Sequence, residues 1–288
     1  MISAQRSAGF WFTFPAIVLL TIFIVYPLLS TVQMSVTDAG GSFVGLENYS
    51  EIAAAPRTAR ATVNTIFYVG FSVVFQLILG TAAGILLNEP FRGQGVVRAL
   101  TLIPWVIPGI VAAMAWAWMF HTDFGIINYA LKSLGIIAEP IGWLTNPRTV
   151  LPALVAVNVW KMFPFVAIMV LAGLQAIPAS LYEAARVDGA SFWQEVRFIM
   201  LPQLRPILAV ITLLLLIAGV NSITIIYGTT RGGPADRSLI TSIQIFVESF
   251  EQFRFNRGSA LSALFFAVST VFIVAYIWIS EKRERSGE

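Results

Sequence analysis

The sequence has 288 residues, of which 57% are hydrophobic and only 11% are charged, against roughly 25% charged in a soluble domain, so most of the chain is expected to lie in lipid. The formal net charge of +3 is spread along the chain and does not indicate nucleic acid as a partner. Because there is no cysteine and only one histidine, His121, disulfides, thiolate chemistry and Cys-based or His-rich metal sites are excluded.

Six intervals of the sequence are apolar, almost free of charge and long enough to cross a membrane as helices. About 20 helical residues span a hydrocarbon core about 30 Å thick. The intervals cover about 10–32, 63–88, 99–120, 150–175, 206–227 and 258–280. Strands of a membrane barrel would alternate polar and apolar residues, which these runs do not. We therefore predict an all-α fold, a polytopic transmembrane helix bundle with six spans between residues 10 and 280.

The first interval and the distribution of basic residues predict the orientation. The first apolar run exceeds the length of about 7 to 15 residues found in signal peptides, and no A-x-A site follows it, so it is expected to stay as a helix. An even number of spans puts both ends on one side. Lys and Arg are denser in 1–9, 89–98, 176–205 and 281–288 than in the other connecting segments. This favours a cytoplasmic N-terminus and a cytoplasmic tail.

The fourth predicted span contains a charged residue, Lys161, followed by Pro164 and Phe165. A charge at that depth is costly and should face the bundle interior or water. The proline leaves a carbonyl nearby without its helical partner. Lys161 either extends its head group to the outer membrane surface or lines a path across the membrane.

The segment 176–205, between the fourth and fifth predicted spans, has the pattern of two short helices joined by a bend. Two serines have capping-box spacing, and Gly189 gives the backbone the freedom to turn between the helices. The boxes are Ser180 with Glu183 and Ser191 with Gln194. From the pattern alone, the segment is either an amphipathic connector at the membrane surface or a rigid projection into the cytoplasm.

The fifth predicted span carries a polar pair, Asn221 and Ser222, with Gly219 opening space beside it and Tyr227 at its end. Such a pair can serve hydrogen bonding and close packing between helices, or it can line a solute path. Both interpretations stay open at this point.

The sequence contains no recognisable energy source for transport. A phosphate-binding P-loop ends in Gly-Lys-Ser/Thr, and neither Lys132, Lys161 nor Lys282 follows a glycine. The middles of the six predicted spans lack the Asp and Glu residues that relay ions in many gradient-driven carriers. The function classes that remain are a pore, a scaffold and a subunit driven by a separate motor.

Three groups of residues resemble permease subunits of binding-protein-dependent ABC importers. Glu183-Ala184-Ala185, Asp188-Gly189-Ala190 and Leu201-Pro202 resemble the EAA loop of that family. The run 230–234 resembles the T-x-G-G-P turn of its carbohydrate-uptake branch, which includes maltose and glycerol-phosphate permeases, and 125–128 resembles the G-x-x-N motif of that branch. The resemblance extends over nearly the whole sequence. A departure is that six spans are predicted, not the eight of the maltose-type subunit, and its large external insertion is missing.

The resemblance implies a subunit that catalyses no reaction and binds no cofactor or metal, but forms half of the translocation path for a sugar or polyol phosphate. Its EAA loop would form a coupling helix inserted into a separate ATPase, with Glu183 paired to a basic residue there. The implied contact residues are Glu183, Ala184, Ala185, Asp188 and Gly189. The implied partners are a second permease subunit, an ATPase dimer that binds ATP and Mg²⁺, an extracytoplasmic sugar-binding protein and the lipid of a bacterial or archaeal plasma membrane.

A sugar site needs hydroxyl and amide groups together with an aromatic ring. The residues that could form it on the substrate path are Lys161, Phe165, Gly219, Asn221, Ser222 and Tyr227. A gradient-driven carrier or channel acting alone is the alternative. A membrane enzyme is less favoured, since no nucleophile, base and orienting group are brought together by these residues.

Overall fold

The computed structural model describes residues 13–286, apart from the side chains of residue 281 and residues 283–286, and this stretch is almost entirely helical. Its helices are α1 (Thr13–Ser35), α2 (Glu47–Ala54), α3 (Pro56–Asn88), α4 (Gln94–Val106), α5 (Gly109–Met119), α6 (Ile126–Ser133), α7 (Val150–Gln175), α8 (Ala179–Val187), α9 (Phe192–Val220), α10 (Thr224–Thr229), α11 (Thr241–Phe246) and α12 (Phe255–Ser286). π-helical turns occur at Thr21–Val25 in α1, at Val196–Met200 in α9 and at Val247–Glu251 after α11. Strand pairing in the described stretch is limited to one bridge, between Thr37 and Phe43.

The predicted all-α class is confirmed, and the membrane-spanning helices are recognisable by length and hydropathy. Among the described residues, α1, α3, α7, α9 and α12 are each long and apolar enough to cross a bilayer. The pair α4 and α5 passes the same test as a unit but is bent by 93°. These elements give six candidate spans. The predicted N-terminal segment 1–9, the first residues of the first predicted span (10–12) and the last two of the tail (287–288) lie outside the described residues.

The third predicted span, 99–120, is not the continuous helix that the sequence suggested. α4 ends at Val106, and Ile107 is extended, with φ of −57° and ψ of 129°. Pro108 explains the break, because proline has no backbone N–H and disfavours the helical conformation of the residue before it. The prediction used only the length of a charge-free interval, and that length does not show where a proline interrupts the helix.

The fifth predicted span, 206–227, also differs from the prediction. α9 begins earlier, at Phe192, so the second short helix predicted within 176–205 is the first part of a long one. The helix then ends at Val220, and residues 221–223 separate it from α10. At this end the Asn221 amide donates a hydrogen bond to the Ile217 carbonyl oxygen at 2.8 Å, a local bond of the kind that competes with helix continuation.

The described chain forms two compact units. The first runs up to Ala59 and includes Gln244–Ser269, and the second comprises Arg60–Ile243 and the residues from Thr270 onward. In the first unit, Ile52 of α2 packs with Ala260 and Leu261 of α12 in a small apolar cluster.

The core of the second unit is built around α7. Two glycines of α3 allow its backbone to approach α7 closely, as small residues do between membrane helices. A Cβ atom on Gly80 would lie 2.9 Å from the Phe163 carbonyl oxygen, and one on Gly84 would lie 2.8 Å from the Ala167 carbonyl oxygen. This close approach brings the polar residues in the middle of α3 beside α7.

Candidate functional site

A cavity of about 270 Å³ lies in the second unit, among α3, α7, α9 and the breaks that interrupt the third and fifth predicted spans. Its polar lining residues are Ser72, Gln76, Asn158, Lys161, Ser222 and Thr224. The residues from α3 lie near the middle of that helix, so the cavity is at mid-membrane depth. Gly109 and Gly219 form parts of its wall.

The neutral polar groups of the cavity are held by a few hydrogen bonds. The Gln76 side-chain amide donates to the Asn158 backbone carbonyl oxygen at 3.1 Å. The Tyr68 hydroxyl and the Ser222 hydroxyl lie 3.2 Å apart. The Ser72 hydroxyl is buried and has no hydrogen-bond partner among the described residues. A buried hydroxyl of this kind is normally satisfied by water or a bound solute.

Lys161 reaches the cavity wall from α7. Its Nζ atom lies 2.5 Å from the Ile107 carbonyl oxygen and 3.4 Å from the Trp105 carbonyl oxygen. Both carbonyls belong to the C-terminal end of α4, where a helix leaves its last carbonyl groups without partners. The ammonium group therefore sits at the break between α4 and α5, beside the cavity.

The structure brings three of the six predicted path residues together at this cavity, namely Lys161, Gly219 and Ser222. The sequence prediction did not include Ser72, Gln76 and Asn158, which also line it. These three are amides and hydroxyls inside otherwise apolar intervals. That signal was available in the sequence, because polar uncharged residues in a span tend to face other helices.

The other three predicted path residues are not among those that line the cavity. The Phe165 ring packs against the Trp105 ring, with centroids 5.8 Å apart. Asn221 is exposed and hydrogen-bonds within its own helix. The Arg231 guanidinium carbon lies over the Tyr227 ring, 5.9 Å from the ring centroid.

The second candidate site is the segment that joins α7 to α9. α8 ends at Val187, and Gly189 adopts φ of +75°, the left-handed conformation that favours glycine. The Ala190 N–H donates to the Ala185 carbonyl oxygen at 2.9 Å, which closes the end of α8 as in a Schellman motif. Glu183, Ala184, Asp188 and Gly189 are exposed on this segment, and Ala185 is half-buried.

One of the two predicted capping boxes in this segment is present. The Gln194 side-chain oxygen accepts a hydrogen bond from the Ser191 N–H at 2.7 Å, at the start of α9. The predicted box of Ser180 with Glu183 is absent, because α8 begins one residue before Ser180 and Pro178 occupies the N-cap position. Proline supplies no side-chain acceptor for the first N–H groups of the helix.

An ion pair with one buried partner links α8 to α9. The Arg186 Nε atom lies 3.0 Å from a carboxylate oxygen of Glu195, whose side chain is only 6% exposed, while that of Arg186 is 65% exposed. This hydrogen bond raises the pKa of the Arg186 guanidinium above its ordinary value. Burial, followed by the charges of Glu195 and Glu89, raises the pKa of Tyr182 on the same helix. Arg186 therefore stays charged and Tyr182 stays neutral throughout the neutral pH range.

The chain matches the family model described as binding-protein-dependent transport system inner membrane component over residues 76–283. Among curated proteins it is 35% identical over 285 residues to the trehalose/maltose transport system permease protein MalF of Thermococcus litoralis. The alignment covers 97% of this chain and 95% of the relative. It is 34% identical to the sulfoquinovosyl glycerol transport system permease protein SmoG of Agrobacterium fabrum, covering 94% of this chain and 89% of the relative.

A solved structure shares the fold. It is a bacterial ABC transporter involved in the import of the acidic polysaccharide alginate, which superposes with a TM-score of 0.87 at 22% identity and covers 98% of this chain and 99% of its own. The family model covers most of the sequence, and the matched range includes the α8 segment and the cavity helices other than the first part of α3, which holds Ser72. This chain belongs to the family of inner membrane permease components of binding-protein-dependent ABC importers.

Proposed function

We propose that the chain forms half of the translocation path for a sugar, a di- or oligosaccharide or a related polyol phosphate, in an ATP-driven importer. The observation that carries the proposal is the cavity at mid-membrane depth, whose polar lining groups are neutral amides and hydroxyls apart from Lys161. Such groups hydrogen-bond to sugar hydroxyls without the desolvation cost of a charge. The names of the two relatives fit this class, since they refer to trehalose, maltose and sulfoquinovosyl glycerol.

The size of the cavity supports a path shared with a second subunit. At about 270 Å³ the cavity is slightly below the range of about 300 to 1,000 Å³ that is usual for ligand pockets. A disaccharide would need a larger cavity with more lining residues. A second permease subunit facing this one would complete it. Lys161, Gly219 and Ser222 are the predicted path residues that contact a solute in this arrangement, joined by Ser72, Gln76 and Asn158.

In this proposal, the energy of ATP hydrolysis is transmitted to the chain through the segment between α7 and α9. We expect Glu183, Ala184, Ala185, Asp188 and Gly189 to contact a separate ATPase dimer that binds ATP and Mg²⁺, with Glu183 facing a basic residue. The exposure of the charged and small residues on α8, and the ion pair that ties α8 to α9, support transmission of force from this contact into a spanning helix. An extracytoplasmic sugar-binding protein would deliver the solute on the opposite side. Both termini would lie in the cytoplasm of a bacterial or archaeal cell.

A reconstitution experiment distinguishes the importer subunit from a gradient-driven carrier or channel acting alone. The chain is purified by itself and also as the detergent-solubilised complex that copurifies with it, and each preparation is placed in liposomes. Uptake of radiolabelled maltose or trehalose is then measured in the presence of the sugar-binding protein, with and without ATP on the side that the ATPase faces. Uptake only by the complex, and only with ATP, is expected. Uptake by the chain alone would favour the carrier and contradict the proposal.

A further inference from the structure

The break between α4 and α5 leaves backbone carbonyls that a continuous helix would satisfy. In an α-helix, each carbonyl oxygen accepts a hydrogen bond from the N–H four residues later. The Trp105 and Ile107 carbonyls would then be paired with the N–H groups of Gly109 and Val111. Instead, Ile107 is extended and the two helices diverge by 93°. In a membrane, unpaired carbonyls are costly because no bulk water is available to them.

Lys161 supplies the missing donors. Its Nζ atom donates to the Ile107 carbonyl oxygen at 2.5 Å and lies 3.4 Å from the Trp105 carbonyl oxygen. The ammonium group also carries positive charge to the C-terminal end of α4, where the helix dipole is negative. One side chain of α7 thus replaces two hydrogen bonds that the bend removes.

The surroundings of Lys161 show that the bend is packed on both sides. A Cβ atom added to Gly109, the first residue of α5, would lie 3.1 Å from the Thr224 Cγ2 atom and 3.9 Å from the Lys161 Cε atom. On the α4 side, the Trp105 ring packs on the Phe165 ring one turn along α7 from Lys161. The bend is therefore enclosed by α7 and α10, with the lysine between them.

We propose that Lys161 is a positioning residue that holds the bend between α4 and α5 by pairing the exposed carbonyls of Trp105 and Ile107. The bend forms one wall of the cavity, through Gly109, so its angle sets the shape of that wall. This role concerns the helix geometry and does not depend on which solute the cavity accepts.

The natural absence of cysteine permits a direct measurement of the bend. Leu100 on α4 and Met114 on α5 are 57% and 65% exposed and can each be changed to Cys and spin-labelled in the assembled complex in lipid nanodiscs. A straight helix would place these two Cα atoms about 21 Å apart, and a right-angled bend brings them closer. The interlabel distance is measured by double electron-electron resonance in the otherwise unchanged chain, in K161M, in K161R and in K132M. The last variant removes an exposed lysine on α6 and is the control.

The proposal predicts a single short distance in the unchanged chain, in K161R and in K132M, and a distribution shifted toward the straight-helix value in K161M. If K161M does not accumulate in the membrane, K161L, which also lacks a hydrogen-bond donor, takes its place and must show the same shift. An unchanged distance in the neutral variant would overturn the proposal. If uptake fell while the distance stayed the same, Lys161 would act on the solute itself, and the proposed function would stand without this inference.

Discussion

Two adjacent polar residues, Asn221 and Ser222, have different surroundings in the structure. Ser222 lines the cavity and lies within hydrogen-bond distance of the Tyr68 hydroxyl, whereas Asn221 is exposed and bonds to the preceding turn of its own helix. Sequence patterns cannot distinguish them, because the helix ends at Val220 and the usual angular spacing of neighbours no longer applies. Their different surroundings allow a matched test of the solute path.

Replacement of Ser222 by alanine should weaken uptake, and replacement of Asn221 by alanine should not. Loss of one neutral hydrogen bond is worth about 1 kcal/mol, which corresponds to about a fivefold rise in the solute concentration for half-maximal uptake. The measurement is the concentration dependence of ATP-driven uptake by the reconstituted complex. Equal effects of S222A and N221A would contradict the assignment of the path to this cavity.

Several features of the helices could be predicted from composition, and others could not. The apolar intervals indicated where the spanning helices lie, and the box of Ser191 with Gln194 correctly marked the start of a helix. The break at Pro108 and the early start of α9 were missed, because interval length carries no information on where a helix bends or joins its neighbour. The ion pair between Arg186 and Glu195 depends on the turn at Gly189, which spacing along the sequence does not reveal.

The contact between α3 and α7 should be sensitive to a single methyl group. A Cβ atom on Gly84 would meet the Ala167 carbonyl oxygen at 2.8 Å, whereas Gly70 on the same helix has no atom within 4 Å of that position. We expect G84A to lower the melting temperature of the purified protein by several degrees, since overpacking costs about 1 to 3 kcal/mol. G70A, the matched control, should leave it unchanged or raise it slightly, because alanine favours helix. A melting temperature of G84A equal to that of G70A would show that the two helices do not pack as described.

The ion pair between α8 and α9 should be required for efficient coupling. E195Q removes the buried charge that Arg186 meets, and the exposure of Arg186 keeps the expected loss of stability small. The predicted result is more ATP hydrolysed per solute molecule imported, with normal amounts of protein in the membrane. The charge-reversed double variant, R186E with E195R, should recover part of the coupling. An unchanged ratio of ATP hydrolysed to solute imported in E195Q would contradict this role.

At the scale of the whole molecule, the chain has a polar cavity among its long helices and an exposed segment between α7 and α9. The family assignment follows from a match over most of the sequence, and the motifs at 125–128, 183–190 and 230–234 already indicate that family by their residues and order. The cavity could not be predicted in the same way, because its lining comes from separate helices that only tertiary packing brings together. We propose that the turn at Gly189 transmits the action of the ATPase to the path.

Gly189 offers the most direct test, because an added Cβ atom would meet no atom within 4 Å and only the φ of +75° restricts which residues can replace it. Valine is disfavoured in that conformation, whereas asparagine tolerates it. ATP-driven uptake and ATP hydrolysis are measured in liposomes that contain the complex with G189V or G189N. G189V is expected to lose most of its uptake while the complex stays assembled and hydrolyses ATP, and G189N is expected to keep both activities. Uptake by G189V at the unmutated rate would contradict transmission through this turn.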